Sequence, residues 1–347
     1  MDDNKKYLEF EKQIDSMNLL LSQLPSNELY GAAEFWKELG EKHKQLLYEY
    51  GFSNFKQTVN FNYIQWGVYG FSNPIIRKLI VDLIKKGKIP YGFLFMKYDK
   101  DKIFKGNKKI DLKAYSMFLG LLWQCALLTD KLECLKVCEE PTFGNPLPFY
   151  YKNQLISQDL ATSVIELNRI HSLIDLNKIK NIAEIGSGYG RLAFTTVKRF
   201  PNIRYSLFDI PPAVVVGQNY LSEIFGEDFV NKVSETTHYS SEESPSKISV
   251  YLPHQLEDFP NNFFDLIINI SSFDEMSEKQ QENYLTLIDS KCNGFFYIRG
   301  HKVVPSWCNC SGGGLEQIKY KKHWTLIYSG DDPISYNWCE KLFYLNH

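Results

Sequence analysis

The spacing of apolar residues changes near residue 150 of the 347-residue chain. Before that point, leucine, isoleucine and aromatic residues recur every three or four positions, a period that predicts amphipathic helices over residues 5–24, 31–50, 74–86 and 111–139. Three prolines and a glycine then interrupt the helical pattern within residues 141–148. We therefore predict a helical N-terminal domain at residues 1–150 and a second domain at residues 151–347.

After residue 150, short apolar runs alternate with helical segments. The runs predict strands at residues 182–185, 203–209, 248–252, 264–270, 294–299, 324–328 and 338–344. Helices are predicted at residues 157–174, 191–200 and 213–225, and from Ser277, which forms a capping-box pattern with Gln280. This alternation predicts a parallel sheet, and the short turn before the last strand requires one strand of the final pair to run antiparallel. The predicted fold class is α/β, with a Rossmann-like seven-stranded sheet.

Residues 181–209 combine a strand, a glycine-rich turn, a helix and a second strand. The turn has the pattern E-x-G-x-G-x-G over residues 184–190. Glycine permits a positive φ and a close approach of a ligand to the backbone, and the helix that follows offers unpaired N–H groups. A dinucleotide motif, G-x-G-x-x-G, would need glycine at position 191, where arginine stands. Asp209 ends the second strand 19 residues after Gly190, a spacing that suits binding of ribose hydroxyls.

Charge and cysteine content limit which ligands and which cellular location we expect. Lys and Arg number 39 against 41 Asp and Glu, for a net charge of −2 without a basic block, which argues against nucleic acid and favours a small or neutral partner. The seven cysteines are odd in number and the first residues are charged, so we expect neither a signal peptide nor a disulfide framework, and a cytoplasmic location. The apolar run at residues 117–128 is shorter than the roughly 20 residues of a membrane span, so we expect a buried helix and no membrane partner.

The glycine turn and Asp209 resemble motif I and the following acidic position of class I S-adenosylmethionine-dependent methyltransferases. More segments are similar to the bacterial sugar O-methyltransferase family: Phe35-Trp36, Phe55-Lys56, EIGSGYGR at 184–191, DIPPA at 209–213, LPHQLE at 252–257, FDLIINISS at 264–272 and EM at 275–276. The resemblance implies a class I methyltransferase domain, S-adenosylmethionine as cofactor, and methylation of a hydroxyl on a sugar or a sugar-containing natural product. The N-terminal helices would then cover the acceptor, pair two subunits in a homodimer, or both.

The resemblance and the positions of the strand ends together give the candidate site, since ligands of such sheets bind at the carboxyl ends of the strands. For the cofactor we predict Glu184, Gly186, Ser187, Gly188, Tyr189, Gly190, Arg191, Asp209, Ile210, His254, Gln255, Asn269 and Ser271. His254 and Gln255 occupy the position where this superfamily contacts the adenine. His301 is the first choice for the general base, because histidine exchanges protons near neutral pH and this one follows a strand. Asp274 and Glu275 are the alternatives, each as a base or as the residue that orients one.

Several alternatives remain open in the sequence. Methyl transfer to a nitrogen, or to the oxygen of a non-sugar small molecule or peptide, is a second enzymatic interpretation. A third is an interaction protein with a degenerate methyltransferase fold, although the intact glycines and Asp209 disfavour it. We predict no metal: Asp274 and Glu275 lack a third carboxylate at a matching strand end, and the spacing of Cys308, Cys310, His301 and His323 is irregular for zinc.

Overall fold

A computed structural model of the chain describes residues 3–59, 78, 81–82, 85–87, 96–103, 111–233, 247–304, 311–332, 335 and 337–345. Most of the helix predicted at 74–86, together with Cys308 and Cys310, lies outside these residues. The chain forms two compact units, Met1–Lys44 with Ile170–His347, and Gln45–Arg169. These units divide the chain at different points from the boundary predicted at residue 150. The predicted roles of the N-terminal helices, as acceptor lid and dimer contact, stay predictions.

The helices and strands are numbered in chain order over the described residues. The helices are α1 Asp3–Gln23, α2 Asn27–Tyr30, α3 Glu34–Tyr50, α4 Leu112–Thr129, α5 Cys134–Val137, α6 Gln158–Leu173, α7 Arg191–Arg199, α8 Ala213–Phe225 and α9 Glu278–Lys291. The strands are β1 Lys97–Tyr98, β2 Phe149–Tyr151, β3 Gln154–Ile156, β4 Asn181–Ile185, β5 Arg204–Phe208, β6 Val230–Asn231, β7 Ile248–Tyr251, β8 Phe264–Ile270, β9 Cys292–His301, β10 Thr325–Asp331 and β11 Trp338–Tyr344. Short 3-10 helices follow two strands of the large sheet, at Pro253–Asp258 and Phe273–Glu275.

A sheet with the strand order β10-β11-β9-β8-β4-β5-β7-β6 forms the first unit. The strands from β9 through β8, β4, β5 and β7 to β6 pair in parallel, whereas β11 runs antiparallel to both β9 and β10. The predicted α/β fold and the antiparallel return are confirmed. β6 is one strand more than predicted, because a two-residue strand has too few positions to show alternation. The order reverses at β4, so the crevice for a ligand lies at the carboxyl ends of β4, β5 and β8.

Burial along the strands follows their place in the sheet. Every residue of the central strand β8 except Asp265 is buried, as expected for a parallel strand covered on both faces. Helix α7 buries an apolar face that includes Leu192, Phe194 and Val197. The edge strand β10 has no buried residue. The core therefore lies under the carboxyl ends of the central strands, where it holds the candidate site rigid.

The second unit contains a correction to the predicted helix over residues 111–139. The helix begins after its N-cap Asp111 as expected, but α4 ends at Thr129 and a separate helix, α5, begins at Cys134. Asp130 causes the break because its carboxylate accepts hydrogen bonds from the backbone N–H groups of Cys134 and Leu135, each at 2.8 Å. Capping of this kind satisfies the donors at a helix start and so favours a new helix over a continued one.

Helix α4 is longer than the apolar run that the sequence shows. Its 18 residues make it long and apolar enough to cross a membrane, by length and composition alone. The helix buries Ala114, Tyr115 and Leu119 inside the protein, while Leu127 and Leu128 at its end are exposed. Buried helices of soluble proteins pass the same test of length and composition.

We predict that Asp130→Ala lowers the free energy of unfolding by about 1–2 kcal/mol, since it removes a helix cap together with the hydrogen bond from Asn168. Asp175→Ala is the matched control, because Asp175 caps the short exposed helix Leu176–Lys178. The loss in free energy of unfolding should be smaller for Asp175→Ala than for Asp130→Ala. Urea denaturation followed by circular dichroism measures both, and equal losses would contradict the role given to Asp130.

Candidate functional site

The turn after β4 contains three glycines with positive φ, at 74° for Gly186, 57° for Gly188 and 81° for Gly190. A Cβ atom on Gly186 would lie 2.1 Å from Ser272 Oγ, and one on Gly190 would lie 2.8 Å from side-chain carbons of Leu207 and Leu221. Among the described residues, no atom lies within 4 Å of the corresponding position on Gly188. The protein's own packing therefore requires the first and last glycines, whereas Gly188 leaves open space for a ligand.

Asp209 follows β5 and lies against this turn. Its carboxylate accepts hydrogen bonds from the N–H groups of Gly188, at 2.6 Å, and Ile210, at 2.7 Å. Burial raises the pKa of Asp209 to about 7, and the two hydrogen bonds oppose that rise. The hydroxyl of Ser187 is buried and has no hydrogen-bond partner in the described part of the chain. A carboxylate, a buried hydroxyl that lacks a partner and open space over Gly188 fit a ligand with ribose hydroxyls.

Two predicted cofactor residues have side chains that the protein itself engages. The amide of Asn269 donates to Ile185 O at 2.8 Å and to Ser272 Oγ at 2.6 Å, and it accepts from Phe273 N at 3.2 Å. Asn269 is 0% exposed. The amide oxygen of buried Gln255 accepts from Leu252 N at 2.7 Å. In this structure both side chains fix the loops at the strand ends.

The other predicted cofactor residues lie at the same edge of the sheet. The buried carboxylate of Glu184 accepts a 2.8 Å hydrogen bond from the Tyr205 hydroxyl. Tyr189 packs its ring edge-to-face against Tyr220, with centroids 5.0 Å apart. Partly exposed positions are Arg191 at the start of α7, Ile210, His254 on the 3-10 helix after β7, and Ser271, whose backbone N–H donates to Arg299 O.

The structure brings His301 and Asp274 together. His301 ends β9, and Asp274 lies on the 3-10 helix after the neighbouring strand β8. One oxygen of Asp274 lies 2.5 Å from His301 Nδ1 and accepts from the His301 backbone N–H at 3.1 Å. Asp274 is 1% exposed, and its other oxygen has no partner among the described residues. With Asp274 as the carboxylate, Nδ1 donates in this contact, which fixes the ring orientation and leaves Nε2 as the acceptor nitrogen of a neutral ring.

Glu275 lies beside Asp274 and is 4% exposed. Its carboxylate accepts a hydrogen bond from the indole N–H of Trp36 at 2.8 Å. Burial, with Asp274 and Asp209 nearby, raises the pKa of Glu275 to about 8, while the bond from Trp36 opposes the rise. No lysine, arginine or histidine of the described residues pairs with this carboxylate.

Residues near the N-terminus reach the same edge. The sequence predicts that the N-terminal helices cover the acceptor or pair two subunits, and Phe35-Trp36 belongs to the resemblance, but none of these residues is among the predicted site residues. We call residues 27–40 the N-terminal strap. Tyr30 donates a hydrogen bond to Glu257, and Gly31 O accepts one from the Gln280 side chain at 2.7 Å. A Cβ atom on Gly40 would lie 3.6 Å from Pro212 Cδ, directly after β5. The strap therefore contacts the loops after β5, β7 and β8. Aromatic residues in a helix usually pack in a hydrophobic core. The sequence around Trp36 therefore does not show that its indole reaches Glu275.

Comparison with known families adds to this geometry. Residues 151–236 match the O-methyltransferase domain family, a segment that contains the glycine turn and Asp209. The strand order, with an antiparallel strand beside a parallel sheet, and the turn at the end of β4 agree with that match. The chain is an S-adenosylmethionine-dependent methyltransferase, and residues 151–236 are the segment that matches the O-methyltransferase domain. The methyltransferase has no sequence match among curated proteins.

Solved structures resemble the methyltransferase at low identity. PH0226 protein from Pyrococcus horikoshii OT3 is 11% identical, over 55% of this chain and 92% of that one, with a TM-score of 0.41. PigF with SAH is 15% identical, over 53% of this chain and 63% of that one, with a TM-score of 0.36. Human N-acetylserotonin methyltransferase in complex with SAM is 14% identical, over 55% of this chain and 56% of that one, with a TM-score of 0.31. At this level of similarity, nothing about the acceptor passes to this chain.

We predict different effects for alanine at two glycines of the turn. Gly188→Ala should leave the fold intact at a cost of about 1 kcal/mol for the left-handed backbone, yet weaken S-adenosylmethionine binding about tenfold or more. Gly190→Ala should lower the free energy of unfolding by about 1–3 kcal/mol, because its Cβ collides with two leucines. Calorimetric titration and urea denaturation distinguish them. Unchanged affinity in Gly188→Ala would place the donor elsewhere.

We predict that Glu275→Gln stabilises the protein, and more so as pH rises from about 4.5 to 8. Because the pKa of Glu275 is raised in the folded protein, the folded state binds more protons than the unfolded state between about pH 4.5 and 8. The free energy of unfolding of the wild type therefore falls as pH rises across this range. Glutamine removes that charge and can still accept from Trp36. Urea denaturation at pH 5 and pH 8 measures the difference. Glu282→Gln, at an exposed position on α9, is the control and should change stability little at either pH. A destabilised Glu275→Gln protein at pH 8 would refute the prediction.

Proposed function

We propose that the methyltransferase transfers a methyl group to a hydroxyl of a sugar or a sugar-containing natural product, with His301 as the general base. The contact between His301 Nδ1 and the buried carboxylate of Asp274 is the observation on which the proposal rests. The O-methyltransferase match over residues 151–236 and the family resemblance of the LPHQLE and FDLIINISS segments support it.

Three groups of this chain would hold the methyl donor. Asp209 would accept hydrogen bonds from ribose hydroxyls, the buried Ser187 hydroxyl would gain a partner, and the open space over Gly188 would receive the donor against the backbone. When bound, S-adenosylmethionine would supply an activated methyl carbon, whose bond to sulfur would break as the bond to the acceptor oxygen forms, with the electron pair left on sulfur. The protein's task is then to align the acceptor oxygen with that carbon.

His301 would take the proton of the acceptor hydroxyl. An alcohol is a weak nucleophile while protonated, and a positioned base contributes about 10²–10⁴-fold in rate. Asp274 holds the proton on Nδ1, so Nε2 receives the hydroxyl proton as the oxygen–carbon bond forms. The resulting imidazolium then lies beside the Asp274 carboxylate, which stabilises its charge. His301 would touch the substrate, and Asp274 would act through His301 as a positioning residue.

We predict that His301→Gln lowers kcat by about 10²–10⁴-fold, with S-adenosylmethionine affinity unchanged, because only proton removal is lost. Asp274→Asn should lower kcat less and alter its pH profile, since the orientation and charge partner of His301 change while the ring remains. The assay follows labelled methyl groups from S-adenosylmethionine to a panel of free monosaccharides, methyl glycosides and nucleotide sugars. His323→Gln is the control, because His323 pairs with Asp289 at an exposed position just before β10 and not after the carboxyl end of a parallel strand.

The panel also decides the class of acceptor. Turnover of phenols, amines or peptides, with none of the saccharides methylated, would replace the sugar by a non-sugar acceptor. Full turnover by His301→Gln would remove His301 as the base, since an acceptor that is already nucleophilic needs none. Failure to bind S-adenosylmethionine would contradict the donor site itself.

A further inference from the structure

Glu275 lies where the charged part of the methyl donor would be, an inference that rests on the proposed donor site. β4 stands between β5 and β8, so a ligand in the crevice extends from the end of β5 to the end of β8. With the ribose at Asp209 after β5 and the adenine beyond it near the loop after β7, the remaining arm extends towards β8. That arm contains the sulfonium and the amino-acid group. Glu275 is the last residue of the 3-10 helix Phe273–Glu275 that follows β8.

The surroundings of Glu275 offer its carboxylate no positive partner among the described residues. The indole N–H of Trp36 is its side-chain donor. The titratable groups that act on it are Asp274 beside it and Asp209 after β5, and Asp274 is in turn bonded to His301 on β9. Further out, Tyr284 on α9 packs on Phe273 of the same 3-10 helix, and Tyr30 on α2, with its partner Glu257, packs on Tyr284. Apart from His301, each of these groups is acidic or neutral at pH 7. A buried negative charge in such surroundings is costly, and a ligand cation would offset that cost.

We propose that Glu275 makes the donor pocket select by charge: its carboxylate ionises opposite the sulfonium of S-adenosylmethionine and stays protonated when the uncharged product S-adenosylhomocysteine is bound. The substrate therefore binds with release of a proton near neutral pH and more tightly than the product. The raised pKa of Glu275, about 8, agrees with a group that is largely protonated before the donor arrives.

The donor and its product form a matched pair for this test. They share the adenine, the ribose, the ammonium and the carboxylate, and differ only in the methyl group and the positive charge on sulfur. Asp209 faces the shared ribose, so proton uptake or release at Asp209 is the same for both ligands and cancels in the comparison. Any difference in protons released then belongs to groups that face the sulfur.

The experiment is isothermal titration calorimetry of the full-length protein at pH 7, with S-adenosylmethionine and S-adenosylhomocysteine as probes, in two buffers of different ionisation enthalpy. We expect S-adenosylmethionine to release up to about one proton more than S-adenosylhomocysteine and to bind about tenfold more tightly. Glu275→Gln should abolish the difference in released protons and weaken only S-adenosylmethionine binding. Asp209→Asn, the same change from carboxylate to amide in the same pocket, should weaken both ligands alike and preserve their ratio.

The outcomes distinguish a wrong role for Glu275 from a wrong donor site. If neither ligand binds, the donor site is wrong. If both bind with equal affinity and equal proton release, or if Glu275→Gln keeps the wild-type difference, the donor site stands and the role of Glu275 is overturned. A wild-type pH series gives an answer without any variant: the affinity ratio of S-adenosylmethionine to S-adenosylhomocysteine should rise from pH 6 to pH 9, and a constant ratio overturns the inference.

Discussion

The Asn269 side chain ties the two halves of the site together. Its amide connects the last residue of β4, Ile185, to Ser272 and Phe273 in the turn after β8. The missing Cβ of Gly186 provides the room for Ser272 in this arrangement. The cofactor turn and the 3-10 helix with Asp274 and Glu275 are thus held at one fixed separation. In-line methyl transfer needs such rigidity, because the donor carbon and the base lie on different loops and small displacements are costly.

The same edge of the sheet gathers carboxylates in surroundings that favour their neutral forms. Burial raises the pKa of both Asp209 and Glu275, and backbone or indole N–H groups supply their hydrogen bonds where cationic side chains would be the usual partners. Burial of these carboxylates in their ionised form reduces the free energy of unfolding of the protein without a ligand. A positively charged substrate can recover that free energy on binding. The arrangement illustrates how an active site can lower the stability of the fold while raising the affinity for one ligand.

The sequence predicted best where a local pattern decides the structure. Between residues 157 and 225, glycines, prolines and clear apolar periods placed helices and strands within one or two residues of their observed ends. The break after Thr129 was missed because the apolar period continues through it, whereas the cause is a single carboxylate, Asp130. Asn269 stays a predicted cofactor residue, but its place near the end of a strand did not reveal that its amide bonds to Ile185, Ser272 and Phe273. Trp36 was missed because its partner, Glu275, lies 239 positions away in sequence.

Residues 1–44 belong to the unit that contains the large sheet, although the intervening 125 residues, Gln45–Arg169, form a unit of their own. A shortened protein that begins at the first strand of the parallel sheet would therefore lack part of this unit, including the indole bonded to Glu275 and the tyrosine hydroxyl bonded to Glu257. The buried carboxylate of Glu275 would then lose its hydrogen-bond donor, and the exposed carboxylate of Glu257 would lose the Tyr30 hydroxyl. Such a fragment would be a misleading surrogate for ligand screening, since its pocket would differ from that of the intact chain in both polarity and shape.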